Sequence, residues 1–248
     1  MFRTRPDKRS EEVLLQAKEV VPAEFDHIAT RYDGITSLSQ GYFSDLQLSV
    51  SRMRLKGGEY VLDLCCGTGK STKACLEALP RGRVLGVDNS EQMLAVAKEK
   101  FCREIAAGQV AFLKQDAMNL QFPDNTFDGI FMAYGLRNMP DYIQCLKGVF
   151  RVLKPGGILG VHEYSLVDKP YARVYWKLLG YGLILPLSTV FTGNSLIFKY
   201  LIKSVLQFPS PLAVVKLLEK VGFIQIETLP LTSWRAPILH TFIAKKPG

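Results

Sequence analysis

Val61-Leu62-Asp63-Leu64-Cys65-Cys66-Gly67-Thr68-Gly69 is the stretch that decides the fold. Apolar residues on both sides of Asp63 run directly into two glycines one residue apart. That order reads as a buried strand, a tight turn and the start of a helix. A residue without Cβ lets the backbone come unusually close to a bound ligand. Nineteen residues after Gly69, Asp88 closes a second apolar run, Val84-Leu85-Gly86-Val87. An acid at about that spacing is where a Rossmann-type unit holds ribose hydroxyls. A nucleotide-like cofactor is therefore the first expectation.

Outward from this core, the pattern from Tyr60 alternates strand and helix, the mark of a parallel sheet. Strands are expected at Tyr60–Leu64, Arg83–Val87, Val110–Lys114, Phe127–Met132 and Ile158–His162. Ser90 followed by Glu91 marks a helix start, and a helix from Tyr142 to Leu153 is stopped by Lys154-Pro155-Gly156-Gly157. The alternation lapses from Tyr164 to Pro211, then resumes with a helix over Leu212–Val221 and strands near Ile224–Thr228 and Leu239–Ala244. Before the sheet, Glu11–Ile28 and Leu46–Leu55 have helical spacing, with loops at Arg31-Tyr32-Asp33-Gly34 and Ser39-Gln40-Gly41. The expected fold is α/β, doubly wound and mostly parallel. Residues 1–56 form an N-terminal helical segment, 57–248 the main domain, and 164–211 a helical cap after strand five that roofs the pocket.

The 248 residues carry 31 Lys and Arg against 23 Asp and Glu, a net charge of +8. This admits nucleic acid, anionic lipid or an acidic substrate and decides among none of them. Between Ser165 and Lys220, seven bases face only Asp168 and Glu219, in the most apolar part of the chain. The segments Leu178–Phe191 and Leu196–Leu206 are too short or too interrupted to span a bilayer. They read as a helix pair covering a pocket, or as an amphipathic patch on a membrane surface. The five cysteines have neither paired nor zinc spacing and read as small buried hydrophobes in a reducing compartment. No metal is expected. The N-terminus lacks the apolar core of a secretory signal, so a cytoplasmic location is expected.

A dinucleotide fingerprint needs three glycines, but here the first is replaced by Cys65 while Asp63 is kept. A carboxylate beside a pyrophosphate would be repelled; one beside a cation would be attracted. S-adenosylmethionine, with a sulfonium, an ammonium and no phosphate, fits better than NAD. Asp116, after strand three, can accept from an adenine amino group while Ala117 offers a backbone N–H. One acid at a strand end is usually a helix cap. Asp63, Asp88 and Asp116, in register with a glycine turn, point instead to a cofactor cleft.

Four further stretches carry a resemblance: Arg31-Tyr32-Asp33; Phe122-Pro123-Asp124-Asn125-Thr126-Phe127-Asp128; Tyr134-Gly135-Leu136-Arg137-Asn138; and Arg151-Val152-Leu153-Lys154-Pro155-Gly156-Gly157 continuing to Glu163-Tyr164-Ser165. With them the chain resembles the ubiquinone/menaquinone biosynthesis C-methyltransferases, class I S-adenosylmethionine-dependent enzymes with a seven-stranded Rossmann-like sheet. The resemblance implies cofactor-contacting positions at Asp63, Thr68, Gly69, Asp88, Asp116, Ala117 and Ala133, with Gly67 and Asn89 beside them. It places Arg137 and Asn138 against the acceptor and implies methyl transfer to a ring carbon of a prenylated quinol. Arg137 would stabilise a phenolate as a fixed cation and Asn138 would hydrogen-bond the ring oxygen. A water held by Arg137, Tyr32 or His162 are the candidate bases. The bland alternative for Arg137 is a surface ion pair with Asp141.

Three positions depart from the family: Lys70 stands where an acid is common, the insertion lacks an Asp-rich stretch before Tyr200, and Trp234 replaces a glycine. Another phenolic or lipid-like acceptor therefore stays open. A nucleic-acid methyltransferase is disfavoured, because neither an Asn-Pro-Pro-aromatic loop nor a Pro-Cys pair is present. A non-catalytic cofactor-binding subunit is disfavoured by the three acids. Peripheral membrane contact through 164–206 is expected, no nucleic-acid partner is, and a homodimer is admitted.

Overall fold

The computed structural model describes residues 41–186, 189 and 196–248. The helix expected over Glu11–Ile28 and the loop holding Tyr32 lie outside them. Seven strands form one sheet in the order β3-β2-β1-β4-β5-β7-β6. They are β1 (Tyr60–Leu64), β2 (Arg83–Asp88), β3 (Val110–Lys114), β4 (Phe127–Ala133), β5 (Leu153–Tyr164), β6 (Ile224–Pro230) and β7 (Leu239–Lys245). β1 pairs in parallel with β2 and β4, β2 with β3, and β4 with β5; β7 runs antiparallel between β5 and β6. The chain winds outward from β1 to β3 and returns to lay β4 against β1. Ligands of such sheets bind where the winding reverses, at the carboxyl ends.

Residues of successive strand positions face opposite sides of the sheet. Leu62 and Leu64 therefore join one core, with Ile130, Met132 and the helix Tyr142–Val152, while Val61 joins the other, with Leu46, Val50 and Cys75. Asp63 shares the face of Val61 and is fully buried. We label the helices α1 (Tyr42–Ser51), α2 (Lys70–Glu77), α3 (Glu91–Lys100), α4 (Cys102–Ala106), α5 (Tyr142–Val152), α6 (Pro170–Leu179), α7 (Leu196–Gln207) and α8 (Pro211–Val221). Ser90 caps α3 by accepting from the Met93 amide, and Asp141 caps α5 through Gln144.

The structure corrects three boundaries. α1 starts four residues before the expected Leu46, behind Gly41 in the left-handed region, and ends at Ser51. Met53 and Leu55 keep the apolar spacing beyond it, but they serve as packing residues that meet Gly160 and Gly129 on the sheet. β5 begins at Leu153, because the Lys154–Gly157 turn is absorbed as a register shift against β4. In the insertion the first helix begins at Pro170, which suits a first helical turn, and winds on as a π-turn over Gly180–Ile184. There Gly180 lets α7 approach: a Cβ on it would lie 2.7 Å from Ile202. Buried Trp176, Ile202 and Val205 give the insertion a small core of its own.

Candidate active site

A cavity of about 410 Å³ opens at the carboxyl ends of β1, β2, β3 and β4, at the reversal of strand order. Its size suits one small-molecule site. Gly67, Thr68, Asp88, Asn89, Asp116, Ala117 and Ala133 all stand on its wall, as do Arg137 and Asn138. Asp63 and Gly69 do not; they lie one layer back and hold its shape.

The turn after β1 is built on left-handed backbone at Cys65 (φ 62°), Gly67 (φ 53°) and Gly69 (φ 88°). Cys65 occupies the place of a glycine and bears the strain that a Cβ brings there, roughly 1–2 kcal/mol. Gly69 could not: its Cβ would lie 2.6 Å from the Phe101 ring. Asp88 clamps the turn, accepting from the Gly67 amide (2.8 Å) with one oxygen and from the Ser90 amide (2.9 Å) with the other. Asp116 accepts from the Met118 amide at 2.9 Å, shaping the β3 corner.

Below the turn, Asp63 Oδ2 accepts from Ser71 (2.8 Å) and Thr72 (2.6 Å), in the first turn of α2. Its Oδ1 is buried with no hydrogen-bond partner among the described residues. Burial pushes the carboxyl up to about 7, against the two hydroxyl hydrogen bonds and helped by the charge of Asp88. An anion is costly at that depth, and the cost falls when a cation comes near. The pocket beside it thus fits a ligand with an ammonium and a sulfonium and disfavours a pyrophosphate. S-adenosylmethionine passes this test. Lys70 lies on the wall with Nζ 5.5 Å from the centre of the Tyr42 ring, and burial lowers its pKa.

The other end of the cavity is made of side chains. Arg137 is 6% exposed and donates through Nη1 to Glu163 Oε1 (2.7 Å) and to the Tyr134 carbonyl (2.8 Å), while its amide donates to Glu163 Oε2 (3.1 Å). Glu163 is fully buried and also accepts from the Tyr164 amide. This corrects the reading of Arg137 as a surface partner of Asp141: it is buried, and Glu163 holds its guanidinium in place at the acceptor end of the cavity. Asn138 donates to the Tyr134 carbonyl (3.1 Å) and accepts from the Tyr200 hydroxyl of α7 (3.0 Å).

His162 is corrected as a base. It is fully buried, with Nε2 on the Tyr134 hydroxyl and Nδ1 on Ser49 Oγ, each at 2.8 Å. Ser49 continues to Thr241 and Thr241 to Arg52. Burial, with Arg52 and Arg235 nearby, pushes His162 down to about 3, so it stays a neutral strut. It fixes Tyr134, whose left-handed backbone (φ 55°) and carbonyl hold Arg137 and Asn138. Tyr32 lies outside the described residues.

Among the described residues of the insertion, Tyr200 bonds Asn138 on the wall and none stands on the wall itself. Trp234 is 53% exposed beside Arg235 and is not on the wall either. The thiols of Cys65, Cys66, Cys75 and Cys145 are pushed up by burial, whereas Cys102, expected inside, is exposed.

Sequence reasoning gave no role to Tyr42, Tyr134, Glu163 or Tyr200. Glu163 could have been found: Glu163-Tyr164-Ser165 closes β5, the strand beside the one that leads to Arg137. Tyr134 opens the stretch that holds Arg137 and Asn138, while Tyr42 has no signal beyond being aromatic.

The model of the ubiE/COQ5 methyltransferase family matches residues 13–242. The chain is 37% identical over 213 residues to a demethylmenaquinone methyltransferase of Lactococcus lactis subsp. lactis, covering 85% of this chain and 84% of the relative. It is 34% identical over 223 residues to a demethylmenaquinone methyltransferase of Staphylococcus aureus, covering 87% and 89%. In fold it is similar to a SAM dependent methyltransferase from Aquifex aeolicus, with a TM-score of 0.62 at 20% identity over 88% of this chain and 97% of that one.

Proposed function

The chain belongs to the ubiE/COQ5 methyltransferase family, and on that premise we propose that its methyl acceptor is a demethylmenaquinol-type prenylated quinol, methylated on a ring carbon. It is an S-adenosylmethionine-dependent methyltransferase. The observation that carries the acceptor reading is the name shared by two relatives that align over more than four-fifths of this chain. The intact Arg137–Glu163 pair supports it.

When bound, S-adenosylmethionine supplies an electrophilic methyl. Everything else falls to the protein. Gly67, Thr68, Asp88 and Asp116 would hold the cofactor, and Asp63 sets the polarity behind the turn. The acceptor ring lies toward Asn138 and Arg137. Because Glu163 balances the guanidinium, stabilisation of a ring oxyanion comes from N–H groups aimed by the Tyr134 carbonyl rather than from net charge. Asn138 Nδ2 carries a second hydrogen besides the one given to Tyr134, and Tyr200 fixes the amide so that this hydrogen is oriented. Alignment to about 3 Å between reacting atoms is the main contribution. The five cysteines are unpaired, which supports a reducing, cytoplasmic setting. The basic, apolar insertion supports work at a membrane surface.

The test is incubation with methyl-labelled S-adenosylmethionine and demethylated naphthoquinols, benzoquinols, simple phenols and RNA. Label is expected on the naphthoquinol ring carbon. Faster labelling of a simple phenol or of RNA would overturn the assignment.

A further inference from the structure

We propose that the outer face of α6 is the surface on which the protein rests against an anionic lipid bilayer. The inference deepens the reading of a lipid-tailed acceptor and rests on it. Tyr171, Val174, Leu178 and Tyr181 are exposed by 60%, 57%, 68% and 47%. At about 100° per residue the first three fall within an arc of roughly 60°, and Tyr181 follows one turn on. The inward arc of the same helix holds Ala172 and Trp176, both fully buried. The apolar stripe therefore points away from the body. Scattered apolar residues on a surface are ordinary; a continuous stripe on one helix is not.

Charge selects the occupant. Lys169, Arg173 and Lys177 are exposed on the same helix or at its cap, and from Lys169 to Pro186 there is no acid. Asp168, just before, accepts from Ser210. A second copy docking through this face would bring the same three cations against their equals, an unfavourable isologous contact. Phosphate headgroups satisfy the cations while the stripe enters the acyl boundary, the arrangement of an interfacial helix. No single helix among the described residues is long and apolar enough to cross a membrane, so the contact lies on the surface.

The face is also wired to the acceptor end. Trp176 Nε1 donates to the Ile202 carbonyl of α7 (3.1 Å), and two residues earlier on α7 Tyr200 bonds Asn138 on the cavity wall. A lipid-tailed quinol leaving the bilayer beside α6 meets that end first.

The experiment compares wild type, the pair Val174→Asp with Leu178→Asp, and the pair Arg173→Glu with Lys177→Glu. Each is sedimented with vesicles of phosphatidylcholine alone or mixed with phosphatidylglycerol. Wild type is expected to bind the phosphatidylglycerol vesicles and to release as salt rises, and each variant to bind about tenfold more weakly. S-adenosylmethionine affinity and turnover of a short-tailed, water-soluble quinol should match wild type, which shows the variants folded. Turnover of a long-tailed quinol held in vesicles should fall. Equal binding by all three proteins, no binding by wild type, or a dimer that the variants lose without any vesicle binding would overturn the proposal. Vesicle binding through this face by a protein that methylates neither quinol would keep the face and sink the acceptor reading; methylation without vesicle binding would do the reverse.

Discussion

The two ends of the cavity are built by different means. At the cofactor end, the turn over Cys65–Gly69 and the acids Asp63, Asp88 and Asp116 sit on successive strand tips, and their partners are mostly backbone amides or residues of the next helix. At the acceptor end, Arg137 and Asn138 depend on side chains from β5 and α7, 26 and 62 residues away. The first end is made by local backbone geometry; the second exists only once the sheet and the insertion have packed. It follows that the cofactor end should answer to backbone strain and to pH, and the acceptor end to the loss of single partners.

The largest effect is expected at Glu163. Removing its charge with Glu163→Gln leaves the Arg137 cation buried beside a neutral amide, a change worth about 3–5 kcal/mol of stability. Denaturant unfolding should register it, and turnover should fall about a hundredfold as the aimed N–H groups lose their frame. Replacing both partners by Met should return most of the stability but not the turnover. Cofactor affinity measured by calorimetry should change little in the double variant. An equal loss of cofactor affinity would break the division between the two ends.

Next comes Asp63, whose folded-state pKa near 7 lies above the ordinary 3.8. Between these values the folded protein holds more protons than the unfolded chain, so stability falls as pH rises through about 4 to 7 and levels off above. At roughly 1.4 kcal/mol per unit the fall is of order a few kcal/mol. Asp63→Asn should remove it, as unfolding across that window would record. A cationic ligand favours the ionised form, so cofactor affinity should rise through the same window in wild type and stay flat in the variant.

A smaller effect of the same kind belongs to the turn itself. Gly69→Ala forces a side chain into left-handed backbone against Phe101, costing about 1–3 kcal/mol. It should weaken the cofactor and leave the acceptor KM alone. Cys65→Gly should go the other way or do nothing, because it relieves strain already present. Thermal unfolding with and without S-adenosylmethionine separates the pair.

What could be read in the sequence follows the same division. The strands β1 and β3 fall on their expected residues, and the wall acids Asp88 and Asp116 stand at the ends their spacing implied, because short apolar runs and the turns that end them are local properties. Arg137 and Asn138 could be picked out but not their state: whether Arg137 is a free cation depends on Glu163, which the sequence places 26 residues on without saying that it faces inward. His162 suggested a base for the same reason. Its type is visible in the chain, and its burial between Ser49 and Tyr134 is not. α1 ends at Ser51, short of the expected Leu55, because Met53 and Leu55 extend an apolar period past the helix to pack on the sheet.

The smallest expected effect sharpens the comparison most. Tyr200→Phe removes one hydroxyl, the donor to Asn138 Oδ1, and nothing from the cavity wall. Burial and Glu163 keep that phenol up near 12, despite the opposing charge of Arg137, so it is a neutral donor at any working pH and its loss changes no charge. One hydrogen bond is worth about 1 kcal/mol, so the acceptor KM should rise about fivefold while cofactor affinity and stability stay close to wild type. Asn138→Ala, which removes the amide that both Tyr134 and Tyr200 hold, should cost more and lower kcat as well. The two effects should not add in the double variant, because the hydroxyl acts only through the amide. Additive losses would mean that Tyr200 reaches the acceptor by its own route, and α7 would then belong to the site rather than to its support.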